Sequence, residues 1–198
     1  AELNKYGARF KYSQFLRVID QSHESVTSTI TTVQIRRDLR LATDTFAEYA
    51  IDFGNEFHID SMNGYNIRSS AFRVLDINEE VYLFDIPNTD KKTGTMNLFS
   101  LDSSGSNTPI VQRKRIGKVN YKTGRITLDP INIVSGKTKD GVQIMEISTV
   151  PESNDVIGLQ DLYLQLDSSN VDMIVDEISS GIDPSGSNYV VTPSYTTG

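Results

Sequence analysis

The chain has 198 residues, 37% of them hydrophobic, which is enough for one compact core. Its 26 acidic residues outnumber its 19 basic ones and give a formal net charge of −7, which argues against a nucleic-acid binder that neutralises phosphates. Cysteine is absent, which excludes disulfides, thiolate nucleophiles and cysteine zinc sites. No apolar run is long enough for a membrane span, so we expect no membrane contact.

The N-terminal segment predicts a short helix followed by a long strand. Four apolar side chains follow the spacing of a helical stripe, namely Tyr12, Phe15, Leu16 and Ile19. Ser13 is a candidate cap for this helix. Residues 26–39 read VTSTITTVQIRRDL and are rich in β-branched side chains, which favour a strand. The apolar positions change from even to odd numbers near residues 31–32, so we expect a bulge or sharp twist there.

The rest of the chain predicts short antiparallel strands divided by turn residues. They are expected at residues 48–53, 57–60, 72–75, 81–86, 95–101, 110–119, 125–128, 142–147 and 162–166. Two hairpins are predicted, one joining residues 81–86 to 95–101 and one within residues 116–128, where Gly124 can adopt a left-handed conformation. The expected fold class is therefore mainly β, α+β at the margin, sandwich-like, with antiparallel hairpins and a short N-terminal helix.

The domain organisation is predicted to be a single β-rich body over residues 1–198. Residues 60–66 interrupt the strand pattern and mark a weak seam between two possible lobes. The start without methionine and the polar C-terminus suggest a C-terminal piece of a larger subunit. The tail 179–198, rich in Ser, Gly, Thr and Pro, is expected to be flexible.

No pattern of catalytic or metal-binding residues stands out. His23 falls in a polar turn and His58 in an apolar strand, and no glycine-flanked serine elbow accompanies them, so surface and packing roles are favoured. Residues 20–24 alternate oxygen ligands as an EF-hand loop does, but Ser25 replaces the required glycine. We expect no enzyme, cofactor, metal or small-molecule substrate. The 26 acids leave open a carboxylate pair assembled in space, so a carbohydrate-binding or glycan-degrading β module is the alternative hypothesis.

Positive charge is concentrated in one hairpin. No acidic residue occurs between residues 103 and 128, and six cations lie within residues 113–125. They are Arg113, Lys114, Arg115, Lys118, Lys122 and Arg125. Such cations either guard an edge strand against unwanted pairing or orient an acidic neighbour. Nucleic acid is disfavoured, because Tyr121 is the only aromatic side chain there that could stack a base.

Two stretches and the hairpin between them carry a family resemblance. They are residues 5–39 (KYGARFKYSQFLRVIDQSHESVTSTITTVQIRRDL), residues 150–167 (VPESNDVIGLQDLYLQLD) and the hairpin GKVNYKTGRITL. In this order they resemble the C-terminal part of the large baseplate wedge subunit of T-even-like contractile-tailed bacteriophages.

The resemblance implies a structural role in the virion, without catalytic residues. Subunits of this family form homodimers that join into a ring around the tail baseplate, contact neighbouring wedge proteins and rearrange when the tail contracts. The resemblance also implies a late viral protein that is assembled in the host cytoplasm. Family members are several times longer, so contacts made by their N-terminal portion have no counterpart in this sequence.

Overall fold

The computed structural model describes residues 9–24, 26–59, 65–102, 108–158 and 164–174. The chain divides into two compact units, Ala1–Tyr163 and Leu164–Gly198. Most of the seam predicted at residues 60–66 and the whole tail 179–198 lie outside the described residues, so both stay predictions.

The described part of the first unit contains one helix and twelve strands. The helix is α1 (Tyr12–Asp20), and the strands are β1 (Arg9–Phe10), β2 (Ile35–Arg40), β3 (Phe46–Asp52), β4 (Arg68–Ser69), β5 (Arg73–Val74), β6 (Val81–Pro87), β7 (Thr93–Leu101), β8 (Pro109–Asn120), β9 (Arg125–Ser135), β10 (Lys137–Lys139), β11 (Val142–Thr149) and β12 (Val156–Ile157). All strand pairs are antiparallel, which confirms the mainly β fold with a short N-terminal helix.

The strands form three sheets. A six-stranded sheet has the order β3-β9-β8-β7-β6, with β5 also paired to β9. A four-stranded sheet has the order β10-β11-β2, with β4 also paired to β11, and β1 pairs with β12 in a two-stranded sheet. The two larger sheets contribute to one hydrophobic core, which includes Leu98 and Ile126 from the six-stranded sheet and Met145 from the four-stranded one.

Both predicted hairpins are present, and local turn chemistry closes them. Gly124 at the β8–β9 turn has φ +65°, and a Cβ added there would lie 2.1 Å from the carbonyl oxygen of Asn55, so only glycine fits. At the β6–β7 turn the Asp90 carboxylate accepts the N–H groups of Lys92 and Thr93 at 2.9 and 3.0 Å. These bonds favour the ionised carboxylate and lower the pKa of Asp90.

The β9–β11 region extends beyond the predicted strands. β9 continues past residue 128 to Ser135, because the register against β3 shifts there and accommodates Pro130 without a ladder hydrogen bond. A third hairpin joins β10 to β11 through Asp140 and Gly141, with φ of 50° and 77°. Asp-Gly is a strong hairpin signal, and β10 is an element that the strand pattern alone did not predict.

The helix α1 lies where the apolar stripe predicts it, but its cap differs. Ser13 lies inside the first turn, two positions past the N-cap, and the N-cap residue Lys11 makes no side-chain capping bond. Asp155 instead accepts the backbone N–H of Tyr12 at 2.9 Å. A carboxylate from a distant part of the chain thus satisfies a free N–H at the positive end of the helix dipole.

The long strand predicted at residues 26–39 is wrong over its first nine residues. Residues 26–34 belong to no helix or strand, and pairing begins only at Ile35. The partner strand β11 ends opposite Ile35, because the next N–H, that of Val150, donates to Asn66 Oδ1 at 2.8 Å, and Pro151 has no N–H. The β-branched composition of residues 26–34 favours a strand, but the partner strand β11 ends before it reaches them.

The change of face predicted near residues 31–32 is also wrong. From residue 29 to residue 40, odd-numbered residues are partly covered and even-numbered residues are exposed, without a break. Ile30 falls on the exposed side of this alternation and is 98% exposed. No bulge is needed, because the apolar side chain of Ile30 is not buried.

Two further strand predictions find little support. Of residues 57–60, only Phe57 forms a β-bridge, to Pro151, and residue 60 lies outside the described part. Residues 164–166, the described part of the strand predicted at 162–166, form neither helix nor strand. They belong to the second unit, whose described residues contain one 3-10 turn, Ser168–Asn170, capped by Asp167. Among the described residues, no helix is long and apolar enough to span a membrane.

Candidate interaction surface

Within the predicted basic hairpin, Lys118 lies on the face of the six-stranded sheet that points away from the core. Lys118 of β8 pairs with Thr95 of β7 and with Thr127 of β9. Its neighbour Val119 is 2% exposed, and Ile126, which pairs with Val119, is fully buried. Because successive strand residues point to opposite faces, Lys118 lies on the outer face.

Three of the six cations are paired with acids elsewhere in the chain. The pairs are Arg113 with Asp76 (3.4 Å), Arg125 with Asp52 (3.6 Å) and Lys122 with Glu56. The pair with Glu56 raises the pKa of Lys122. All six partners are at least 40% exposed, so these pairs contribute little to stability but remove positive charge from the surface.

The other three cations, Lys114, Arg115 and Lys118, make no ion pair with any described residue. Each of them is exposed. The predicted six-residue patch therefore separates into three neutralised cations and three available ones. We call Lys114, Arg115 and Lys118 the unpaired cations.

The buried side-chain amide of Asn97 positions Arg115, the middle residue of the unpaired cations. The register between β7 and β8 shifts around Asn97, which is 1% exposed. Asn97 Oδ1 accepts the backbone N–H of Arg115 at 3.0 Å, and its Nδ2 donates to the carbonyl of Thr95 at 3.0 Å. Arg115 has φ +58°, an uncommon conformation for a residue other than glycine, and the Asn97 bond helps to hold it.

An aromatic cluster occupies the same outer face. Tyr65 stacks on Phe84 with ring centroids 5.4 Å apart, and Tyr82 stacks on Phe99 at 5.3 Å. Phe84 meets Phe99 edge-on at 5.6 Å, which joins the two stacks. Phe84 is only 2% exposed, but it lies outside the main hydrophobic core, as do the other three rings.

The aromatic cluster and the unpaired cations are neighbours in the sheet. Phe84 pairs across the ladder with Asn97, whose side chain holds Arg115, and Phe99 pairs with Val111. Val111 is 46% exposed and Leu101, two residues beyond Phe99 on the same face, is 40% exposed. The outer face thus combines an apolar centre with positive charge at one margin.

Tyr121 is not the exposed ring that the sequence suggested. It is 1% exposed and donates its hydroxyl to Asp85 Oδ2 at 2.7 Å. Asp85 Oδ1 accepts the backbone N–H of Ile67, also at 2.7 Å. Burial, followed by the charge of Asp85, raises the pKa of Tyr121. This network fastens the chain around residue 67 to the six-stranded sheet.

His58 is the residue considered above as a weak catalytic candidate. Its Nδ1 lies 2.8 Å from Glu152 Oε2, and both side chains are about half exposed. No hydroxyl of a described residue bonds to the imidazole, so the third member of a hydrolase triad is missing from that part of the chain. Within the described ranges, no three His, Asp or Glu side chains converge as a metal site would require.

Comparison with known proteins bears on the N-terminal region. Residues 1–38 match the family model for baseplate structural protein gp6, C-terminal domain III. The match confirms the family resemblance over these residues. They nearly coincide with residues 5–39, the first stretch on which the resemblance was based. No curated protein matches the chain. The family match supports a structural role in a phage baseplate, in contact with other baseplate proteins.

Proposed function

We propose that this chain is a structural, non-enzymatic wedge subunit of a contractile phage tail baseplate. The observation that carries the proposal is the match of residues 1–38 to a baseplate structural domain. In the proposed function the chain forms a homodimer, joins a ring of copies and rearranges when the tail contracts. It is placed in the virion after assembly in the host cytoplasm.

The outer face of the six-stranded sheet is the proposed contact for a neighbouring baseplate protein. Stable interfaces place apolar and aromatic anchors at the centre and charged groups at the rim. The cluster of Tyr65, Tyr82 and Phe99 provides such anchors, and the unpaired cations provide a basic rim. The proposed neighbour therefore presents an apolar patch bordered by acidic side chains, which would set its orientation.

A pair of charge-reversal variants tests this contact. The first changes the unpaired cations to Glu, and the matched control changes the three neutralised cations, Arg113, Lys122 and Arg125, to Glu. We expect the first variant to lose binding to purified neighbouring wedge proteins and the salt dependence of that binding, measured by biolayer interferometry. The control should lose less, because its cations already have partners. Equal losses, or none, would contradict this contact.

Self-association is tested separately on the unmodified chain. Light scattering coupled to gel filtration should return twice the monomer mass of 22.1 kDa. A mass of 22.1 kDa at every concentration tried would contradict the homodimer.

A carbohydrate-binding or glycan-degrading β module is the second candidate function. The observation that favours it is the ring of Tyr65, which is 49% exposed and lies over Phe84, as a sugar-stacking platform would. A glycan array tests this candidate. Binding that Tyr65→Ala abolishes would support it, and silence of the array would remove it.

A further inference from the structure

Residues 26–34, here called the unpaired segment, alternate like a strand but have no strand partner in the described part of the chain. The alternation of covered and exposed residues that marks β2 begins at residue 29, within this segment. Only two of its backbone groups bond to described residues: the N–H of Val26 donates to the carbonyl of His23, and the carbonyl of Thr31 accepts the hydroxyl of Tyr12 at 2.8 Å. A strand edge with free N–H and C=O groups is a template for another strand.

The neighbouring helix is also incompletely covered. Although α1 has an apolar stripe, none of its residues is buried, and Val18 is 66% exposed. On the unpaired segment Ile30 is 98% exposed. A region with this much open apolar surface, next to a strand edge that no described residue pairs, is typical of a contact that another chain completes.

The sequence of the unpaired segment favours a second copy of itself as that chain. It reads VTSTITTVQ and carries no charge, and it is nearly symmetric about Ile30. In an antiparallel pair centred on Ile30, Thr29 faces Thr31 and Ser28 faces Thr32, which are favourable cross-strand pairs. The two Ile30 side chains face each other, which removes the most exposed hydrophobic side chain of the region from water.

The adjoining strand β2 limits how far such pairing extends. Its sequence IRRDLR has three arginines and one aspartate, so each copy of β2 has a net positive charge and two copies placed edge to edge would repel each other. A ladder centred on Ile30 and limited to residues 26–34 avoids this, because it pairs no residue of β2 with β2 of the other copy. The charges thus favour a short homotypic ladder over the unpaired segment alone.

We infer that the unpaired segment pairs with the same segment of a second copy in an antiparallel ladder centred on Ile30. The pairing is isologous, with each copy offering the same surface across a two-fold axis. The inference rests on the self-association in the proposed function and names its contact. The outer face of the six-stranded sheet is left free for a different partner.

Single cysteines test the register, because the chain contains none of its own. Directly opposed residues of an antiparallel pair have Cβ atoms close enough for a disulfide, whereas diagonal neighbours do not. The full-length variant Ile30→Cys should cross-link to itself on mild oxidation. Thr29→Cys alone should yield about tenfold less dimer, and a mixture of Thr29→Cys with Thr31→Cys should restore it.

The outcomes separate this inference from the proposed function. If light scattering shows a dimer and Ile30→Cys forms no disulfide-linked dimer under oxidation, the ladder is overturned while self-association stands. A chain that remains at 22.1 kDa overturns both. If Thr29→Cys cross-links with itself as well as Ile30→Cys does, the antiparallel register is wrong.

Discussion

The six-stranded sheet and the region of residues 12–34 differ in how they treat apolar side chains. The sheet buries most of its own, with Leu98 and Ile126 fully covered. In the N-terminal region the helix has no buried residue, and Ile30 is almost completely exposed. The six-stranded sheet contributes to the buried core, whereas the N-terminal region leaves apolar side chains at the surface.

This contrast separates stability from assembly. A substitution in the sheet should lower the free energy of unfolding of each copy. A substitution in the N-terminal region should leave that free energy nearly unchanged and alter contacts between chains. The match to a baseplate domain covers residues 1–38, and so falls on the region that presents surface.

The largest effect is expected in the core. Leu98→Ala should lower the free energy of unfolding by about 2–5 kcal/mol, because it removes buried methyl groups and leaves a cavity. Leu101→Ala is the matched control on the same strand, since Leu101 is 40% exposed and should lose about 1 kcal/mol or less. Urea denaturation measures both. Equal losses would contradict the assignment of these side chains to opposite faces of the sheet.

A smaller effect is expected at the buried hydrogen bond between Tyr121 and Asp85. Tyr121→Phe should lower the free energy of unfolding by about 1–3 kcal/mol, because it leaves a buried carboxylate oxygen without its donor. Tyr82→Phe is the control, since the Tyr82 hydroxyl bonds to no described residue. A similar loss in both variants would show that the aromatic ring, and not the bond, sets the cost.

The same tyrosine predicts a dependence on pH. Its pKa is raised in the folded chain, so the folded state keeps the proton where an unfolded tyrosine, with a pKa of about 10, loses it. The stabilisation is fully present below about pH 10 and is lost as the pH rises further. Thermal unfolding between about pH 8 and pH 11 should show this decline in the native sequence and a flatter one in Tyr121→Phe. Identical slopes would contradict the role of Tyr121.

A local effect is expected where Asp155 caps α1. Asp155→Ala should destabilise the helix by about 1 kcal/mol, because it removes the acceptor of the Tyr12 N–H. Hydrogen exchange of residues 12–20 should accelerate while exchange in the six-stranded sheet stays unchanged. Asp129→Ala, which removes an exposed acid without a described partner, should leave α1 unaffected.

The smallest effect is expected at Ile30. At protein concentrations at which light scattering returns the monomer mass, Ile30→Thr should change the free energy of unfolding by no more than about 0.5 kcal/mol. Chemical denaturation at low protein concentration measures it. A loss of unfolding free energy comparable to that of Leu98→Ala would show that Ile30 packs within its own chain. It would contradict the difference drawn between the two regions.

Local patterns in the sequence were sufficient for the helix and the hairpins. The stripe of α1 and the turn at Gly124 depend on residues within one or two turns of each other. The strand at residues 26–34 was predicted wrongly because β-branched composition does not supply a partner. The end of that partner is set by the bond between Asn66 and Val150, which lie 84 residues apart.

The candidate surface was predicted in part. The sequence located six clustered cations, but it could not show which were neutralised, because Asp52, Glu56 and Asp76 lie in other strands and loops. The sequence does contain a pattern that could have predicted the aromatic cluster. The run VYLFDI of β6 is apolar at consecutive positions, which is typical of a strand covered on both faces.

The attachment of α1 at both of its ends has a mechanical consequence. Its N-terminal side is held by the β1–β12 pairing and by the bond between Tyr12 and Asp155, whereas the unpaired segment continues directly into β2 and its six ladder pairs with β11. A displacement applied at Ile30 by another chain is therefore delivered to two separate anchor points in the same unit. The first anchor is the β1–β12 pair with the Asp155 bond, and the second is the β2–β11 ladder.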